Sequence, residues 1–369
     1  MIEAEAEHVG FREIYKVNIN DAEQEQMQIT GQKIIFRGVN RHDASLENGS
    51  AVTNQEIIDD LKLMKQYNVN AVRTSHYPNA KILYDLADEL GIYVYAEANV
   101  ESHYGAYGDH KVPIPGGDSR WVTPVLDRNM NMLELLKNHA SIIGWSYGNE
   151  ATYTRCPLDN TYCFWAAAMA VLNENPHALV MVEGIEIYPK DIKKNGDFSS
   201  TNPSDYYSTW WGGNLRGVKN DPIDLGKYNS QLVYSPHDYG PAVYQQEWFK
   251  GDYTFDSLKK DAWQDNWLYI YDTNTAPLLI GEWGGYMSQP NLKWMTYLRQ
   301  LIKEKRINHT FWCFNANSGD TGGLVKDDFT TWDEEKYEFV KEVLWQEDGK
   351  FVGLDHKIPL GENGKCLGE

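Results

Sequence analysis

The sequence predicts one α/β domain, a single (β/α)8 barrel. Three observations predict it. Eight short apolar runs alternate with helical stretches between residues 34 and 344. Polar and aromatic residues follow most of these runs, where a barrel builds its site. No glycine-rich phosphate loop follows the first run, which argues against an open doubly wound sheet.

Residues 1–30 are polar and acidic, with one strand-like piece, Val9-Gly-Phe-Arg-Glu-Ile14. They read as a leader packed on the outside of the barrel. The barrel itself is assigned to 31–348. Its first strand is Ile34–Asn40, ending in Asn40-Arg41-His42. Thr53 and Glu56 have capping-box spacing, and Ile57, Leu61, Met64 and Tyr67 then recur at helical intervals. Ala71–Thr74 is the second strand, and the helix Ala80–Leu90 stops at Gly91. Tyr93–Ala96 is the third strand. A Pro- and Gly-containing loop precedes a helix over Pro124–Asn138. Ile142–Tyr147 is the fourth strand, Tyr162–Asn175 a helix and Leu179–Val182 the fifth strand. A polar loop spans Lys190–Tyr228. Leu232–Pro236 is the sixth strand, and a Trp-rich segment with a helix leads to the seventh, Leu278–Gly281. Leu292–Glu304 is helical, His309–Phe314 is the eighth strand and Glu334–Leu344 the last helix. The tail, 349–369, is Gly- and Lys-rich and reads as irregular.

Hydrophobic content of 42% and charged content of 24% are those of a soluble globular protein. The net charge of −19 argues against nucleic acid or an anionic membrane as partner. No apolar run reaches the length of a membrane span, and the first residues lack the basic and apolar regions of a signal peptide. The expectation is a soluble chain, cytoplasmic or recombinant. Aromatic residues reach 13%, and tryptophans in loops suit stacking on sugar faces. The four cysteines lack metal-type spacing. Cys156 and Cys163 could bridge in an oxidising compartment, but free thiols are the expectation.

Two apolar runs end alike. Ile142–Glu150 closes on Asn149 and Glu150, and Leu278–Gly285 carries Glu282 before Trp283. A buried carboxylate is costly without a role or a partner. Two of them on the rims of two inner strands suit glycoside hydrolysis. Glu150 would be the acid/base, with its pKa raised, and Glu282 the ionised nucleophile. Arg73 and Tyr239 would donate to Glu282, and Asn149 would hold a sugar hydroxyl. His42, His76 and His237 also follow strands, where a histidine serves either packing or the site. Trp312 is a candidate sugar platform, as are Trp210, Trp211 and Trp283. Glu101 and His103, with Glu150 as third ligand, form a candidate Mg2+ or Mn2+ set of an unspecific O/N type.

Two resemblances meet inside the barrel. Residues from about 2 to 151 resemble the catalytic barrel of family 2 glycoside hydrolases, the β-galactosidase type. The text that carries it includes Arg37-Gly-Val-Asn-Arg-His42, Ala71-Val-Arg-Thr-Ser-His-Tyr-Pro78, Glu97-Ala-Asn-Val-Glu-Ser-His103 and Trp145-Ser-Tyr-Gly-Asn-Glu150. This resemblance implies that Glu150 is the acid/base and that His42, Arg73, His76 and Asn149 line the sugar subsite. It also implies that Glu101, His103 and Glu150 could hold Mg2+. Residues from about 160 to 360 look like family 5 glycoside hydrolases, the endoglucanase type. Here the text includes Trp210-Trp-Gly-Gly-Asn-Leu215, Leu232-Val-Tyr-Ser-Pro-His-Asp-Tyr-Gly-Pro241 and Leu279-Ile-Gly-Glu-Trp-Gly-Gly285. It implies that Glu282 is the nucleophile, with His237, Tyr239 and Trp312 around it.

The chain thus resembles a half-barrel chimera with a crossover near 151–162, and such a join looks engineered. The second resemblance implies that a cellulase-like parent would be secreted. The expected function is retaining hydrolysis of β-1,4-glucan or a related β-linked oligosaccharide, with no cofactor required. The alternatives are a β-galactosidase-like exo-glycosidase, and a chimeric barrel that only binds carbohydrate.

Overall fold

The computed structural model describes residues 9–10, 14–17, 26–101, 119–151, 160–196, 200–353 and 359–366. Eight parallel strands run round a barrel: β1 (Arg37–Arg41), β2 (Ala71–Thr74), β3 (Tyr93–Glu97), β4 (Ile142–Ser146), β5 (Leu179–Val182), β6 (Leu232–Tyr234), β7 (Leu279–Ile280) and β8 (Asn308–Phe311). Continuous ladders join β6 through β5 to β1 and on through β8 to β7. Isolated parallel bridges, Tyr234 to Leu278 and His237 to Glu282, close the remaining gap. The Gly281 amide donates to the Pro236 carbonyl at 2.9 Å there, and the Asp238 amide to the Glu282 carbonyl at 3.0 Å. The closure that removes the sheet edges therefore also sets His237 opposite Glu282.

The helices cover the outside: α1 (Asn54–Gln66), α2 (Lys81–Leu90), α3 (Val122–Leu136) and α4 (Asn160–Glu174). The Trp-rich segment is one helical run whose middle, Lys259–Leu268, has π geometry between the α-helical turns Phe255–Leu258 and Tyr269–Asp272. We call this run α5. After it come α6 (Asn291–Lys305) and α7 (Glu334–Lys341). The α1 capping box is present: Thr53 Oγ1 accepts the Glu56 amide at 3.2 Å, and Glu56 Oε2 accepts the Thr53 amide at 2.7 Å. Gly91 ends α2 in the left-handed region at φ 67°. The predicted loop 190–228 is less irregular than expected. Its Tyr206–Ser208 pairs antiparallel with Ile187–Pro189, which immediately precedes the loop, and it forms several short helical turns.

Two apolar cores follow from the barrel geometry. The outer one lies between sheet and helices and includes Val72, Val94, Val180 and Ile280. The inner one fills the barrel with Ala71, Tyr93, Tyr95, Ile143, Leu179, Met181, Val233 and Leu279. Strand side chains alternate between the two faces. Counting on by two from the inner residues leads to Arg73, Glu97, Glu183 and His237 at the C-terminal rim.

Both chain ends differ from their expected roles. The described part of the leader does not pack on the outside. Ile14, Met27 and Ile29, from the hairpin of Ile14–Val17 with Gln26–Ile29, join the inner core at the end of the barrel remote from this rim. The tail is not wholly irregular. Gln346–Glu347, Lys350–Val352 and Gly364–Lys365 form a small sheet, and Val352 and Trp345 join the same plug. An open barrel end exposes apolar side chains, and burying them is what seats the hairpin and the small sheet there. No helix among the described residues is long and apolar enough to cross a membrane.

Candidate active site

The rim residues converge on a cleft of about 570 Å³. Glu150, Asn149, His76, Tyr239, Glu282 and Trp312 line its floor, and Trp210, Trp211 and Tyr244 contribute to its wall. One ligand atom from each of Glu150, His237 and Glu282 lies within 4.8 Å of the other two. The two carboxylates picked out from the sequence therefore meet.

Arg73 organises them. It is fully buried at the end of β2 and donates to Asn40 Oδ1 at 2.9 Å, Glu97 Oε2 at 2.8 Å, Asn149 Oδ1 at 2.8 Å and Glu282 Oε1 at 2.6 Å. Glu183 Oε1 lies 3.1 Å from the same guanidinium. Burial alone would lower the Arg73 pKa, but the charges on Glu97, Glu282 and Glu183 push it well above its usual value. Glu97 also pairs with His76 Nδ1 at 2.8 Å. Burial works against the His76 charge, and Glu97 and Glu282 overrule it and raise its pKa.

Glu282 accepts from Arg73 on one oxygen and from the Tyr239 hydroxyl on the other. Burial would raise its pKa. The charges of His237, Arg73 and His76 and the Tyr239 hydroxyl instead hold it far below the usual 4.5. His237 is fully buried, with Nδ1 at 2.6 Å from Glu150 Oε1 and 3.5 Å from Glu282 Oε2. Desolvation disfavours its charge, but Glu282, Glu183 and the contact with Glu150 raise its pKa well above 6.5. The His237 ring therefore stands between the two carboxylates.

Asp238 fixes this pair of rim residues. Its carboxylate accepts the indole N–H groups of Trp267, from α5, at 3.1 Å and Trp294, from α6, at 2.9 Å. Burial pushes its pKa up to about 7. With Asp238 held from behind, its chain neighbours His237 and Tyr239 face the carboxylates. Glu150 has φ 37°, in the left-handed region, which costs a non-glycine residue about 1–3 kcal/mol.

Not every residue expected to bind sugar reaches the cleft. Arg73 and His237 stand behind its surface and orient the carboxylates. His42 is half-buried, edge-on to His76 at 5.2 Å and to Trp312 at 5.3 Å between ring centres. It supports those rings. Trp283 is not a platform: it is buried edge-on against His309 and Phe311, because it points to the outer core. His103, Cys156 and the Cys163 side chain lie outside the described residues. Of the other two members of the candidate metal set, Glu101 Oε1 accepts Asn149 Nδ2 at 3.0 Å and Glu150 Oε1 pairs with His237.

Sequence reasoning missed Glu97, Glu183 and Asn40. Asn40 donates to the Gly281 carbonyl at 2.9 Å, tying β1 to the strand before Glu282. Glu97 and Glu183 carried the same signal as the two glutamates that were chosen. Each ends a short apolar run, Tyr93–Ala96 and Leu179–Val182.

The profile described as "Glycosyl hydrolases family 2, TIM barrel domain" matches residues 17–170, and that described as "Cellulase (glycosyl hydrolase family 5)" matches 160–318. Endoglucanase G of Acetivibrio thermocellus is 56% identical over 216 residues, which is 56% of this chain and 38% of that protein. A β-galactosidase of Pseudoalteromonas haloplanktis is 45% identical over 149 residues, 40% of this chain and 13% of that one. The chain thus spans well under half the length of these curated relatives. A hyperthermophilic endocellulase from the archaeon Pyrococcus horikoshii shares the fold, with a TM-score of 0.69 at 23% identity over 90% of this chain and 98% of that one. Within one barrel, the chain joins a first half similar to family 2 glycosyl hydrolases to a second half similar to family 5 cellulases.

Proposed function

We propose that the chain is a retaining glycoside hydrolase acting on β-1,4-glucan, with Glu282 as nucleophile and Glu150 as acid/base. The observation that carries this reading is that Glu150 and Glu282, both on the cleft floor, bring one oxygen each to within 4.8 Å of the other. Double displacement needs carboxyl groups about 5–5.5 Å apart, whereas inversion needs about 6.5–9.5 Å to admit a water. In the first step a Glu282 oxygen attacks the anomeric carbon as Glu150 gives its proton to the departing glycosidic oxygen. In the second, Glu150 takes a proton from water. The water oxygen displaces Glu282 and restores the free enzyme.

The electrostatics support the nucleophile's part. Glu282 has two donors and three nearby cations and stays ionised, as a nucleophile must. Asn149 is held by Arg73 beside Glu150 on the cleft floor, where it can meet a sugar hydroxyl. Trp210, Trp211 and Trp312 give the cleft stacking surfaces, which favour an extended glucan over a small galactoside. No step is assigned to Mg2+.

The β-galactosidase reading rests on the family 2 match and on His76 and Asn149, which that half contributes to the cleft. Hydrolysis of an aryl β-cellobioside and of carboxymethyl-cellulose, by the protein and by Glu282→Gln, tests the proposal. Turnover of both that disappears in the variant is the expected result. Equal signal from both proteins would leave a folded barrel that only binds carbohydrate. Preference for an aryl β-galactoside, lost with a chelator, would favour the second reading.

A further inference from the structure

We propose that Glu183 is a positioning residue that sets the general acid/base by holding the peptide of Glu150. The inference rests on the functional reading above. Glu183 follows β5, in the second half of the barrel, and is not part of the cleft surface. Its Oε2 accepts the backbone amide of Glu150, across the strand boundary between the halves, at 2.8 Å. Its Oε1 lies 3.1 Å from Arg73 Nη2 and 3.3 Å from His237 Nε2. The other nitrogen of His237 contacts the Glu150 carboxylate at 2.6 Å. Glu183 therefore grips Glu150 directly at its backbone, and its other oxygen faces the His237 ring that contacts the Glu150 side chain.

The backbone grip has a purpose. Glu150 holds a left-handed φ of 37°, which its side chain disfavours. A charged acceptor on the amide stabilises that conformation and with it the direction of the carboxyl. Glu183 reaches Glu282 only at second hand, through Arg73 and His237, whereas it holds the Glu150 peptide directly. Loss of Glu183 should therefore impair proton donation more than nucleophilic attack.

Leaving groups separate the two. A phenyl β-cellobioside needs its departing oxygen protonated, whereas a 2,4-dinitrophenyl β-cellobioside departs unaided. Misplacement of a reacting group by about 1 Å costs about a hundredfold. Glu183→Ala is thus expected to lose about a hundredfold in kcat/KM on the phenyl substrate and only a few-fold on the dinitrophenyl one. Glu183→Gln keeps an oxygen for the amide and should restore about tenfold of the loss. If the alanine variant does not fold, as thermal melting will tell, the glutamine variant carries the same comparison with the smaller change. An equal fall on both substrates, or none, in an enzyme that Glu282→Gln inactivates, would overturn this role for Glu183 alone. Turnover unaffected by Glu282→Gln would overturn the functional reading and this proposal together.

Discussion

Glu282 is a buried carboxylate that stays charged because three cationic groups and a hydroxyl surround it. Its folded pKa lies below the 4.5 of an unperturbed glutamate. Folding is therefore favoured by its ionisation above pH 4.5, and that contribution fades as the pH falls through the depressed folded value. His237 runs the other way. Its folded pKa is raised, so its contribution is complete below 6.5 and is lost as the pH rises through the folded value. The stability difference between the wild-type protein and Glu282→Gln, measured by urea unfolding, should accordingly shrink from pH 6 toward pH 3. A difference that stays constant with pH would contradict this account of the carboxylate.

At the scale of the elements, β7 has two strand residues, and its extension does the work. Gly281 carries the chain into Glu282, and Gly284 brings it against the end of β8. A Cβ on Gly284 would lie 2.0 Å from the Trp312 carbonyl oxygen, a backbone atom with no room to give. Gly284→Ala should therefore destabilise the protein by about 1–3 kcal/mol and shift Trp312 in the cleft. Thermal unfolding and tryptophan fluorescence check both; a variant as stable as wild type would contradict the packing. Much at this scale is legible in the sequence. The eight strand positions, the Thr53 cap and the Gly91 stop follow from local chemistry, which the fold leaves unchanged. The pattern of an apolar run ending in a carboxylate finds Glu150 and Glu282. Glu97 and Glu183 fit it too, but the pattern does not state their role, because their importance lies in Arg73 and His237. Those partners come from other strands, and no local pattern states which rim residues will face one another. Trp283 fails for a simpler reason: one residue beyond Glu282, it faces the outer core.

Across the whole molecule, the two halves meet along two seams, β4 with β5 and β8 with β1. Both are regular parallel ladders, Gly144 to Leu179 through Ser146 to Met181, and His309 to Arg37 through Phe311 to Val39. New seams between unlike parents would be expected to carry misfits of volume. At the first seam, Gly144 leaves the space that Met181 fills, since a Cβ there would lie 2.5 Å from the methionine methyl carbon. The halves are also tied through the site itself. Arg73 and Glu150 come from the first half, and Glu282, Glu183 and His237 from the second, and they hold one another. The hairpin and the tail seal the opposite end of the inner core, so the plug and the site are built on the same barrel interior.

The central claim is that the two glutamates stand close enough for double displacement. Proton NMR of the first sugar released from an aryl β-cellobioside, read before mutarotation, tests it most directly. The geometry predicts the β-anomer, from two successive inversions at the anomeric carbon. Initial release of the α-anomer would mean a single displacement by water and would contradict the account.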